Sequence, residues 1–69
     1  MEHFLVDVYA VDPRGHDMHL GGGLFQAPSS KAAEDMATEE YWRPQLANQG
    51  FDIGFHTDLP GTGKRVKVL

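Results

Sequence analysis

No cysteine occurs anywhere in this sequence of 69 residues. Neither a disulfide nor a thiolate zinc site can therefore compensate for a small core, and packing or a partner subunit has to hold the chain together. A folded chain of this size buries only about 60% of the surface that its unfolded form exposes, which leaves little room for a deep substrate cleft. One domain spanning residues 1–69 is expected, and a stand-alone enzyme is not. Apolar residues at 41% against charged residues at 23% give the balance of a globular chain, not of a disordered or low-complexity one.

The first twelve residues carry Glu2, Asp7 and Asp12 and no Lys or Arg, so the basic start of a secretory signal is missing. No apolar run approaches the ~20 residues needed to cross a bilayer. A soluble, cytoplasmic protein without membrane contact is the expectation. Net charge is −4, but it is unevenly spread: residues 1–63 hold all ten acids against Arg14, Lys31 and Arg43, and Lys64, Arg65 and Lys67 follow. An acidic body repels phosphate backbones, so general nucleic-acid binding is disfavoured unless the basic end supplies the contact.

Residues 3–12 place Phe4, Val6, Val8 and Ala10 on one face at period two, which predicts a strand. The other face, His3, Leu5, Asp7, Tyr9 and Val11, is too mixed for deep burial and too apolar to be indifferent to a partner. Asp12-Pro13-Arg14-Gly15 has the residue types of a tight turn, and residues 18–27 return as a second strand. Gly21, Gly22 and Gly23 in its middle mark a bulge or the close approach of another backbone or a bulky ring.

Pro28-Ser29-Ser30 offers a capping hydroxyl before a helix expected from Ser30 to Trp42, with Ala33, Met36, Ala37 and Tyr41 as its apolar stripe. Pro44 breaks that helix and can begin a second short turn through Asn48, ended by Gly50. Phe51, Ile53 and Phe55 alternate with Asp52, Gly54 and His56 as a half-buried strand, and the terminal KRVKVL reads as a closing edge strand. The expected fold is α+β, a small ββαββ-type layer with one main helix on a four-stranded, largely antiparallel sheet.

Chemistry has few footholds in this pattern. Leu59 to Lys64 looks like the end of a phosphate-binding loop, but Asp58 stands where that loop needs a glycine and Arg65 where it needs Ser or Thr. Asp12, His16, Asp17 and His19 crowd one turn with metal-ligand residue types, yet at a spacing that solvent-facing turn residues also give. His3 and His56 read as half-buried strand residues. Without cysteine, and with Ser29 and Ser30 explained as caps, nucleophilic catalysis has little to work with. No cofactor and no metal are expected.

Glu34, Asp35, Glu39 and Glu40 put four of the ten acids on one helix, and Tyr41, Trp42 and Arg43 stand together where it ends. Those last three residue types dominate protein-binding hot spots, and an acidic surface steers and selects basic partners. These seven residues are the expected partner-binding site. The alternative is a nucleic-acid-associated regulatory protein that touches phosphate through Lys64, Arg65 and Lys67. The thin core and the mixed outer face of the first strand also leave room for a homodimer.

The layout FLVDVYAVD, HLGGGLFQAPSSKAAEDMATEEYW, FDIGFHT is similar to that of small phage and mobile-element proteins, among them several anti-CRISPR inhibitors. That resemblance implies a phage-encoded, non-enzymatic inhibitor. It would bind a CRISPR nuclease or a surveillance-complex subunit in the host cytoplasm and block DNA binding or cleavage, with Glu34, Asp35, Glu39 and Glu40 standing in for phosphates. The group shares no sequence signature, so no residue role is carried over from it.

Overall fold

Two long strands come first, as their alternation predicts: β1 (Glu2–Val11) and β2 (Asp17–Ala27) pair antiparallel as a hairpin. The computed structural model describes residues 1–59 and, as backbone, residues 64–67. At the hairpin turn the Gly15 N–H donates to the Asp12 carbonyl at 2.9 Å, with Gly15 at a φ of +86° that a side chain rarely adopts. Asp12 Oδ1 accepts from the backbone N–H of Arg14 at 2.8 Å and of His16 at 2.9 Å. A short acceptor side chain at the first turn position thus takes up two donors that the ladder leaves open.

Helix α1 (Ser30–Tyr41) follows, capped by Ser29, whose hydroxyl accepts from the Ala32 N–H at 3.2 Å. It ends one residue earlier than expected, with Trp42 extended and its N–H on the Thr38 carbonyl. Arg43 is also extended, as a residue before proline must be, and α2 (Pro44–Asn48) is a single short turn. Strand β3 (Asp52–Leu59) then pairs antiparallel with β1 on the side away from β2. The sheet order is β2-β1-β3, with β1 between the two long partners and the short segment Lys64–Lys67 beyond β3.

The expected four-stranded ββαββ layer is corrected: the domain is a small α+β fold of three antiparallel strands and one main helix. The helix packs mainly on β2 and β1, with β3 at its margin. Residues Lys64–Lys67 form only a short extended segment on the outer side of β3, joined through three residue pairs and broken by a register shift between Thr57 and Asp58. Alternation in KRVKVL indicates which residues share a face, but it does not supply the length that a full strand needs. The glycine-containing loop and the side chains of Lys64, Arg65 and Lys67 lie outside the described residues.

Residues directly opposite in a ladder share a face, so the register sorts both sides of the sheet. Under the helix lie Phe4 opposite Phe25, Val6 opposite Gly23 and Thr57, and Val8 opposite Gly21 and Phe55. Among the described residues, Phe4, Val6, Val8, Ala10, Phe25, Ala27, Ala33 and Ala37 are the buried apolar ones, with Leu20, Tyr41, Ile53 and Phe55 packed around them. The expected helix stripe needs one correction. Met36 is 44% exposed, and Glu34, at 3%, takes the inward position instead.

Candidate functional site

The glycine run works in two ways. Tyr41 lies over Gly21 so closely that a Cβ there would sit 2.5 Å from the ring, and its hydroxyl donates to the Gly22 carbonyl at 3.0 Å. Just before the run, β2 carries one extra residue between the pairs Val8–Gly21 and Tyr9–His19. Regular pairing would place Leu20 opposite Tyr9; the bulge turns Leu20 toward the core and puts His19 in that place. A sequence irregularity thereby decides what the uncovered side of the sheet displays.

That uncovered side carries a mixed surface. Leu5 and Leu24 stand directly opposite each other, 41% and 59% exposed, with Tyr9 and Val11 half-buried further along β1. Beside them, His19 Nε2 lies 3.1 Å from Asp7 Oδ1, and the Tyr9 and His19 rings tilt against each other at 5.2 Å. Asp7 also stands opposite His56, whose Nε2 lies 3.6 Å from Asp58 Oδ2. Four titratable groups from three strands therefore form one polar band next to an apolar pair.

The seven residues expected to bind a partner do not form one surface. Glu34 faces the sheet, where the Thr57 hydroxyl donates to its Oε2 at 2.8 Å, so this carboxylate is not displayed. The Tyr41 ring is engaged by the glycines of β2. Asp35, Glu39, Glu40 and Arg43 are exposed and Trp42 is half-buried. Asp35 accepts from Lys31 Nζ at 2.7 Å, a pair that raises the lysine's pKa above its ordinary value. Arg43 Nη1 donates back to the Glu40 carbonyl at 3.2 Å. Met36, missed as a surface residue, lies one turn before Glu39 and Glu40 on that outer side.

The crowded turn residues separate as well. His16 stays with Asp12 at 3.4 Å, whereas His19 belongs to Asp7 on the sheet. The backbone N–H groups of His16 and Arg14 hold the Asp12 carboxyl below the usual carboxylate range, with the His16 side chain adding to the effect. Among the described residues no group of three or more potential metal ligands converges, and no cavity opens. No helix of the described residues is long and apolar enough to cross a membrane. No family model matches this chain, and neither a curated protein nor a solved structure is significantly similar to it.

Proposed function

We propose that this chain is a non-enzymatic protein-binding module, and that the outer side of α1 is its contact surface. The observation that carries this reading is Met36, an apolar side chain 44% exposed on the helix, with Glu39 and Glu40 one turn on and the exposed Arg43 just past the helix end. Residues spaced by three and four share one side of a helix and can be recognised together by a groove or a flat partner. Asp35 and Trp42 flank that row. An exposed thioether supplies adaptable apolar contact, and the carboxylates around it select a basic partner surface and speed encounter.

A partner that itself binds phosphate is the natural match for this charge pattern. An inhibitor of a CRISPR effector or surveillance complex is one member of that class, with Asp35, Glu39 and Glu40 meeting the surface that DNA would occupy. The acidic body opposes direct contact of the module itself with nucleic acid. Capture of partners by the tagged chain from bacterial lysate, repeated with Glu39→Lys/Glu40→Lys, tests the reading. A stoichiometric protein lost in the variant, with an unchanged circular dichroism spectrum, is the expected result. Capture that persists through the charge reversal contradicts it.

A further inference from the structure

We infer that the uncovered face of the sheet is where two copies of this chain meet, back to back, with both helices on the outside. The proposal concerns the side of the molecule opposite to the helix surface above, so either can fail without the other. Its first support is the surface itself. Leu5 and Leu24 form an exposed cross-strand apolar pair, continued along β1 by Tyr9 and Val11.

Charge is arranged to tolerate self-association. The two carboxylates nearest the apolar pair each have an imidazole beside them, Asp7 with His19 at 3.1 Å and Asp58 with His56 at 3.6 Å. Asp17 and Asp52, opposite Val11 on either side, stand at one end of the face, and His3 with Gln26 at the other. An apolar and locally paired middle between polar ends is the composition of a protein interface, where the rim stays wet.

Size selects the occupant. The molecule measures 35 × 20 × 15 Å, so its broad side offers at most about 700 Å². Stable interfaces cover about 800 Å² on each partner, so only an object lying flat over nearly the whole face would suffice. A single added strand is too narrow. A second copy has a face of the same length and width, and sheet-on-sheet packing about a two-fold axis is a standard closed arrangement.

The need is visible in the core. Among the described residues eight apolar side chains are buried and four of them are alanine, and the chain has no cysteine. Small domains with so little buried volume gain stability by oligomerising. Covering Leu5, Leu24, Tyr9 and Val11 with the same residues of a second copy adds the missing second core.

Sedimentation equilibrium of the purified chain, from micromolar to millimolar, tests the inference. The expected mass is twice the 7.7 kDa of one chain at the upper end of this range and falls toward that of one chain on dilution. Leu5→Lys/Leu24→Lys should weaken the dimer about 100-fold or more while the circular dichroism spectrum is kept, and Met36→Lys on the opposite side should leave it intact. If the double variant loses its spectrum, Leu24→Lys alone, at an exposed position on the edge strand, carries the test with at least about a tenfold loss. A single-chain mass throughout the range overturns the proposal. So does a dimer that survives the leucine substitutions or disappears with Met36→Lys.

Discussion

Phe25 and Leu24 are neighbours on one strand, yet one is 9% exposed under the helix and the other 59% exposed on the opposite side. The same alternation built both faces, and the one long helix, α1, covers only one of them. Polar groups follow the same division. Under the helix, Glu34 and Thr57 are buried and joined by a 2.8 Å hydrogen bond. On the open side, Asp7 and His19 meet at 3.1 Å within reach of water. The comparison separates what holds the monomer from what is left for contact: burial stabilises on one side, whereas the other side's apolar residues remain to be covered.

Paired substitutions measure that contrast directly. In dilute solution Phe25→Ala should cost about 3–5 kcal/mol of unfolding free energy, whereas Leu24→Ala should stay within about 0.5 kcal/mol of the parent. Denaturant midpoints decide it, and equal losses would erase the distinction between the faces. Thr57→Val sharpens the polar half of the comparison. Removing a buried donor from a carboxylate should cost about 1.5–3 kcal/mol, against about 0–1 kcal/mol for Asp7→Asn in the solvated pair on the other side.

The smallest expected effect lies at the hairpin rim, on neither face. The folded-state pKa of Asp12 is depressed, so its contribution to stability is present above the ordinary value of 3.8 and is lost as pH falls through the folded value. Asp12→Asn keeps an acceptor for the Arg14 and His16 N–H groups but removes the titrating charge. Thermal unfolding followed below pH 5 should therefore drop slightly more steeply in the parent than in this variant. Identical acid profiles would show that the turn carries no linked proton.

Much of the fold is legible in local sequence. The period-two runs of β1 and β3, the Asp12–Gly15 turn, the Ser29 cap and the Pro44 break follow from residue types acting within a few positions. The bulge was legible as a warning, since three consecutive glycines fit poorly in a regular ladder. What it accomplishes was not, because exchanging Leu20 for His19 beside Asp7 depends on the register against β1. The inward turn of Glu34 escaped for a similar reason. Its hydrogen-bond partner, Thr57, is 23 residues away, and Met36 fits the apolar spacing of the helix as well as any core residue would. The open face of β1 was readable as ambivalent. That Leu24, His19 and His56 extend it required the strand order β2-β1-β3, which no local pattern encodes.

The most direct test of the division between the two faces is amide ¹H–¹⁵N chemical-shift mapping of the chain on serial dilution. The account predicts concentration-dependent shifts confined to the sheet, centred on Leu5, Asp7, Tyr9, Leu24 and His56, while the amides from Met36 to Glu40 stay still. Shifts centred on the helix, or a spectrum unchanged from millimolar to micromolar, would contradict it.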